Sequence, residues 1–375
     1  MPRHYPGPAA HGRSVRVLAL CLTVAATRGV APPALRAQPP AAAPGPARDT
    51  ATPPRGVRER GLQVGRGEWA VDAVLTVPAG TAPAPAVVLM HGSGGGTKDG
   101  DVGPNKVYRE MAWALGARGV AVLRYDKRLT AHAARARALG RPLTMDEDQT
   151  DDGVAAARLL QHTEGVDPRR VHVLAVSQST AVAADVAARV AQAGGPPLAG
   201  LVLVSASARG PAQMIREQTA YGARVARQRG DSAGLREALA VQAEAERMAR
   251  ADLPDSARVL GMDLGYWRSM DPRRTWRETA AFLAAGGRVF VASGGRDFQT
   301  TAGDFAAWRR ALAAHRGATF HRYADLNHLM QPGVGKMTPD EFERPMRLSP
   351  QFLDDVARWT TCVSGSPAGP RARAH

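Results

Sequence analysis

Short, nearly continuous apolar runs alternate along this chain with longer stretches whose apolar residues recur at helical spacing. Residues 87–90, 120–124, 171–176 and 201–205 are dominated by Val, Leu, Ala and Met, the pattern of strands buried on both faces. Between them, 108–118 and 181–193 repeat apolar positions three and four apart and stop at Gly119 and Gly194, as helices do. A third helix is predicted over 144–162. It opens on Thr144-Met-Asp-Glu147, a capping box in an acidic first turn, and carries Ala155, Ala156, Leu159 and Leu160 on its apolar face. Residues 69–77 instead alternate as an antiparallel strand ended by Pro78 and Gly80. Strands alternating with helices predict an α/β fold, a mostly parallel central sheet covered on both faces.

The pattern changes between 205 and 288, a helix-rich stretch without a convincing strand. Residues 216–251 are full of Ala, Arg, Glu and Gln and read as one or two helices broken near Gly230-Asp-Ser. Inserted at this point, such a stretch is expected to form a cap. Met214, Tyr221, Met248, Tyr266, Trp267 and Met270 are the residues able to line its underside, with ordinary packing against the main domain as the simpler role for each.

The chemistry lies at the strand ends. The run Val171-His-Val-Leu-Ala-Val-Ser177-Gln-Ser-Thr180 reads as a buried strand ending in a sharp turn that lifts Ser177 to the mouth of a helix. Ala175 and Ser179 stand where the G-x-S-x-G nucleophile elbow has its two glycines. Both are small, which predicts a tolerated, slightly widened elbow; a shifted register would make Ser179 the nucleophile, and a plain N-cap is the bland reading. A serine needs a base, and the base a carboxylate. Arg288-Val-Phe-Val-Ala-Ser-Gly-Gly-Arg-Asp297 delivers a carboxylate at a strand end, and Phe320-His-Arg-Tyr-Ala-Asp-Leu-Asn-His328 delivers an imidazole beyond one more strand. Ser, Asp, His is the chain order of the α/β-hydrolase triad. Asp304 and Asp325 are rival carboxylates, the first inside the following helix and the second three residues before His328. His91, His172 and His321 lie in a turn or in strands, and His162 and His315 close helices. Ala84-Pro-Ala-Val-Val-Leu-Met-His-Gly-Ser-Gly-Gly-Gly96 runs a buried strand into a glycine turn, which places the backbone N–H groups of Ser93 and Gln178 as oxyanion donors.

At these residues the chain resembles bacterial α/β-hydrolase esterases of the EstD type. The resemblance rests on His91-Gly-Ser-Gly, Val102-Gly-Pro-Asn-Lys106, the segment from Ala112 through Arg124-Tyr-Asp-Lys-Arg128, Gly294-Gly-Arg-Asp-Phe-Gln299, and Asp325-Leu-Asn-His-Leu329 with the trailing Gly335-Lys-Met-Thr-Pro-Asp-Glu-Phe342. It covers roughly residues 57–361. It departs at the elbow, where such enzymes carry Gly-His-Ser-x-Gly-Gly and this chain has Ala-Val-Ser-Gln-Ser-Thr. The resemblance implies a serine esterase, with Arg124–Arg128 belonging to the scaffold through an Asp126 to Arg128 pair. Lys106, in a turn after the oxyanion strand, is a candidate to touch substrate with Tyr266 and Trp267.

The ends of the chain add processing. Arg13 and Arg16 precede the 11-residue apolar run 17–27, too short for a bilayer span of ~20 residues and suited to a signal peptide. A cut after Ala37 is expected, with a secreted or periplasmic product and an uncleaved anchor as the competing reading. Leu20 disfavours lipidation of Cys21, and removal of the leader leaves Cys362 as the one cysteine, so no internal disulfide is expected. Of the formal +15, five charges lie in the acid-free leader, leaving +10, nearly all arginine. The arginines are scattered without aromatic interleaving, which argues against nucleic acid. No repeat, heptad array or Cys/His cluster is present, and Gly94-Gly-Gly96 lacks the Gly-Lys-Ser/Thr of a phosphate loop.

The expected organisation is a signal peptide (1–37), a Pro/Ala-rich linker (38–55), an α/β-hydrolase domain (56–205 and 282–361), a helical cap (206–281) and a disordered tail (362–375). The expected function is hydrolysis of a small-molecule carboxylic ester, with preference for short acyl groups, through an acyl-Ser177 intermediate without metal or cofactor. A peptidase or acyltransferase with the same triad, and an inactive binding protein, are the alternatives.

Overall fold

The computed structural model describes residues 52–80, 83–94 and 96–362. The leader, its cut after Ala37, Cys21, residues 38–51 of the linker and residues 363–375 of the tail lie outside the described residues.

Eight strands form the central sheet: β1 (Val57–Val64), β2 (Val71–Pro78), β3 (Ala84–Met90), β4 (Ala121–Tyr125), β5 (Val166–Val176), β6 (Gly200–Val204), β7 (Arg288–Gly294) and β8 (Ala318–Tyr323). Their spatial order is β1-β2-β4-β3-β5-β6-β7-β8. β2 runs antiparallel to β1 and β4, and the remaining pairs are parallel. Parallel pairs need crossovers. These are α1 (Val107–Gly116), α2 (Asp151–Gln161), α3 (Ala183–Gln192), then α4 (Pro211–Gln228), α5 (Ser232–Met248) and α6 (Pro272–Ala284) between β6 and β7, and α7 (Ala302–Ala311); α8 (Pro350–Thr361) closes the chain.

Side chains of β3 alternate between two cores. Ala86, Val88 and Met90 join Val173 and Ala175 on one face, and Val87 and Leu89 join Leu174 and Val202 on the other. Both faces are dry, so these strands read as unbroken apolar runs. β3 is also where the connection reverses: the chain leaves it for β4 on one side and returns for β5 on the other. Crevices outside the carboxyl ends of strands form at such switch points, and here these ends carry the glycine turn and Ser177.

The segment expected as a cap is a hairpin of α4 and α5 followed by the short pair Arg258–Val259 and Met262–Asp263 and the turn Leu264–Arg268. Gly230, with φ of 68°, and Asp231, whose side chain accepts from the Gly234 N–H, make the predicted break. α6 packs on α3 and β7. It is therefore a crossover helix of the sheet, and the boundary expected at 281/282 falls inside it, because its helical pattern runs on from the cap without a sequence break. The strand β1 escapes the pattern reading: its polar run Arg58-Glu-Arg60 masks the buried ends Val57 and Val64. Among the described residues no helix is long and apolar enough to cross a membrane.

Candidate active site

Ser177 follows the last residue of β5 and has φ of 54°, a left-handed conformation that costs a residue with a Cβ of order 1–3 kcal/mol. Of four such non-glycine residues among those described, Ser177 and Ser205 line one cleft, and Met330 stands two residues after His328. The altered elbow closes through side-chain bonds. Ser179 Oγ accepts from the Val176 N–H (2.9 Å) and donates to the Val176 carbonyl (3.1 Å), and Thr180 Oγ1 donates to the Ser177 carbonyl (2.6 Å). Ser179 is fully buried and its hydroxyl is committed to this turn, which removes it as the exposed nucleophile. Ser177 is half-buried and faces the glycine turn: a Cβ placed on Gly92 would stand 3.6 Å from that of Ser177.

His328 and Asp297 meet from neighbouring strand ends. The Nδ1–H of His328 donates to Asp297 Oδ2 at 2.7 Å, with both residues buried. Asp297 also accepts from the Gln299 N–H (2.7 Å) and from Thr300 Oγ1 (2.5 Å). Three donors fix this carboxylate and so the ring, and with the proton on Nδ1 directed at Asp297, Nε2 is the nitrogen left to accept. Asn327 shapes the turn, its Oδ1 accepting from the N–H groups of Leu329 (2.9 Å) and Gln331 (3.0 Å), while Ser205 Oγ donates to the His328 carbonyl (2.8 Å). The rival carboxylates lie elsewhere. Asp304 binds the Arg209 guanidinium and caps α7 at Thr301, and Asp325 is exposed.

A cleft enclosing about 710 Å³, part of it open to solvent, runs from Ser93, Ser177 and Gln178 toward the cap. Met214, Ile215, Trp267 and Met270 supply an apolar wall. Arg209 also reaches the cleft, yet Asp304, Glu217 and the Gln299 carbonyl take its donors. The lining thus presents hydroxyls, amides and apolar groups without a free charge.

Several expectations are corrected. Lys106 lies in a small hairpin (Asp101–Val102 with Asn105–Lys106), pairs with Asp101 and lines no part of the cleft. A carboxylate five residues away on the facing strand captures it first. Tyr266 is buried, its hydroxyl 3.0 Å from Asp148 Oδ2, and it lines a second cleft beside Leu143 and Met145. Tyr221 stacks on Phe298 and donates to the Met337 carbonyl, and Met248 is buried in the core. Asp126 pairs with Lys98 (2.9 Å), and Arg128, the first residue of the short helix Arg128–Ala131, pairs with Asp152. The cysteine expected to be free, Cys362, is exposed and unpaired.

Sequence reasoning missed Lys127, Asp148 and Gln149. Asp148 falls in the acidic start of the helix expected over 144–162; the turn Asp146–Thr150 is π-helical and turns Asp148 inward. The signal was Lys127 directly after a buried strand, since a buried cation calls for a buried acid.

His91 and His172 are buried neutral. The Nε2–H of His91 donates to the Tyr125 carbonyl (2.6 Å), and His172 lies against Trp359. Burial lowers each from 6.5 to about 4. The unfolded chain takes up these protons first, so their contribution is complete above pH 6.5 and is lost as pH falls toward 4. Each removes about 3 kcal/mol. Burial pushes Asp152 up to about 6 despite Arg128, and the folded state then binds that proton first, which opposes the loss by a similar amount between pH 6 and 4. The net expectation is the loss of about one histidine's share, roughly 3 kcal/mol. Melting temperature should fall from pH 7 to 4.5, and His172→Gln should flatten the slope; a flat wild-type profile would contradict this.

No protein-family model matches the chain. It is 30% identical over 288 residues to Esterase EstD of Thermotoga maritima, a match spanning 76% of this chain and 64% of that protein. The chain therefore covers less than two thirds of its curated relative. Among solved structures, carboxyl esterase 2 from the mycorrhizal fungus Tuber melanosporum superposes with a TM-score of 0.51 at 16% identity, over 84% of this chain and 89% of that one. The mostly parallel eight-stranded sheet, the strand order and this likeness agree: the chain has the α/β-hydrolase fold and is a sequence relative of a bacterial esterase.

Proposed function

We propose that this protein hydrolyses small neutral carboxylic esters through an acyl-Ser177 intermediate. The observation that carries the proposal is the strained serine at the end of β5, opening on a cleft, with the Asp297–His328 pair supplied by the ends of β7 and β8. Ser177 Oγ attacks the ester carbonyl while His328 Nε2 takes its proton. Asp297 holds the tautomer and stabilises the imidazolium. The tetrahedral oxyanion is received by the N–H groups of Ser93 and Gln178; the Gly92 N–H is already donated to Tyr108 Oη (3.0 Å). As the tetrahedral intermediate collapses, His328 gives its proton to the departing ester oxygen and the alcohol leaves; water, activated by the same imidazole, then attacks the acyl carbonyl and frees the acid and Ser177.

The uncharged lining supports neutral substrates, and the Met214, Trp267 and Met270 wall supports a short acyl chain. The purified protein should be labelled by a fluorophosphonate at Ser177, located by peptide mass spectrometry, and should turn over p-nitrophenyl acetate and butyrate faster than decanoate. Label on Ser179 would move the nucleophile, a peak at long chains would reverse the acyl preference, and neither label nor turnover in folded protein would replace hydrolysis by a binding role.

A further inference from the structure

Behind the cleft runs a connected set of polar groups that the reaction proposed above does not use. Lys127 and Asp148 have fully buried side chains with Nζ and Oδ2 3.0 Å apart. Lys127 Nζ also donates to the Gly92 carbonyl (3.1 Å). Tyr266 reaches in from the cap turn Leu264–Arg268, its hydroxyl 3.0 Å from Asp148 Oδ2 and 3.2 Å from Gln178 Oε1. Gln149 Nε2 lies 3.3 Å from Gln178 Oε1 and 3.4 Å from the carbonyls of both His91 and Gly92.

The orientations follow from counting protons. A phenol has one proton to donate, and here it is shared between two acceptors, Asp148 Oδ2 and Gln178 Oε1. The Gln149 nitrogen has two, one for the carbonyls of the glycine turn and one for Gln178. Turning the Gln149 amide over would set its oxygen against two carbonyl oxygens, and turning Gln178 would set nitrogen against nitrogen. Gln178 is therefore gripped by its Oε1 from the main domain through Gln149 and from the cap through Tyr266.

An ion pair buried this fully is often no more stabilising than apolar side chains of the same volume, and Asp148 Oδ1 has no hydrogen-bond partner among the described residues. Stability does not explain the arrangement; its endpoints do. Gly92 precedes one oxyanion donor, Ser93, and Gln178 carries the other. The π-helical turn that delivers Asp148 and Gln149 is itself a local departure of the kind found at functional sites.

We propose that Lys127, Asp148, Gln149 and Tyr266 are positioning residues that hold the two oxyanion donors in register, and that Tyr266 makes this register depend on the seating of the cap. The inference rests on the esterase reading of Ser177. The reacting atoms are touched by none of the four.

The test is a double-variant cycle on the full chain with p-nitrophenyl acetate. Tyr266→Phe removes one oxygen and keeps the edge contact with Trp267, and Gln178→Met keeps the backbone N–H and removes the amide. Each is expected to lower kcat about 10-fold with KM within about 2-fold, since small misplacements of oriented groups act on the chemical step. The double variant should lose about as much as the worse single variant, because both cut one link. Melting temperatures should stay near the wild type. Full kcat in Tyr266→Phe, losses that multiply to about 100-fold, or an effect confined to KM would each overturn the inference. A wild type that neither turns over ester nor takes phosphonate on Ser177 would instead overturn the reading beneath it.

Discussion

Ser177→Ala and His328→Ala are each expected to lower kcat/KM for a p-nitrophenyl ester by roughly 10³-fold or more, and the double variant by no more than the worse of the two. The reason is the proton path of the proposed mechanism. Asp297 is held by three donors, one of them the His328 Nδ1–H at 2.7 Å, so the imidazole is fixed to accept at Nε2 and does nothing for the reaction without a hydroxyl to deprotonate. Conversely, Ser177 without a base is an ordinary alcohol. Residual activity should come from the oxyanion donors and substrate binding, which neither substitution touches. Removing Ser177 also relieves no contact that the elbow needs, because Ser179 and Thr180 tie the turn; the melting temperature of Ser177→Ala should therefore stay near the wild type. Steady-state kinetics with folded protein decides the matter. An active His328→Ala enzyme, or a double variant far worse than either single one, would detach His328 from Ser177.

What could be read in advance, and what could not, divides along burial. Strands β3 to β6 announce themselves because both faces are covered, so apolar runs and helical repeats alternate without ambiguity. The edge strand β1 does not, since one face of Arg58-Glu-Arg60 meets solvent and only Val57 and Val64 are buried. The pairing of Asp297 with His328 and the sharp turn at Ser177 were legible because chain order and strand ends are sequence-local signals. The partners of Lys127 were illegible for the opposite reason: Asp148 lies 21 positions away, and its inward turn depends on a π-helical step that no spacing rule encodes. Lys106 misled because a cation near a glycine turn reads as a ligand-binding group until the hairpin sets Asp101 opposite it. The altered elbow was legible as a departure, while its remedy, a hydroxyl closing on the Val176 backbone, needed three-dimensional coordinates.

Gly294→Ala is expected to cost at least 10²-fold in kcat/KM while destabilising the fold by about 1–3 kcal/mol. Gly294 ends β7 and Gly295 follows it, where the turn carrying His328 crosses directly over the strand. The Gly295 N–H donates to the Tyr323 carbonyl (2.6 Å), and the Arg296 N–H to the Leu326 carbonyl (2.9 Å). A methyl on Gly294 would lie 2.5 Å from the Leu326 carbonyl oxygen and closer still to that of Asn327. These are backbone atoms, so no side chain can rotate aside, and the turn itself must move. It holds Asn327, whose Oδ1 organises residues 329 and 331, and then His328. Displacement therefore acts on the Asp297–His328 bond and on the approach of Nε2 to Ser177. Asp297, anchored by Gln299 and Thr300, stays behind. Gly303→Ala is the control: it sits in the first turn of α7, where a Cβ meets nothing closer than 3.4 Å. It should leave both stability and turnover near wild type. The two variants are compared by melting temperature and by kcat/KM measured well below the melting transition. A Gly294→Ala enzyme with wild-type turnover would mean that the turn can retreat without carrying His328 away from Asp297, and that the close crossing of β7 serves packing alone.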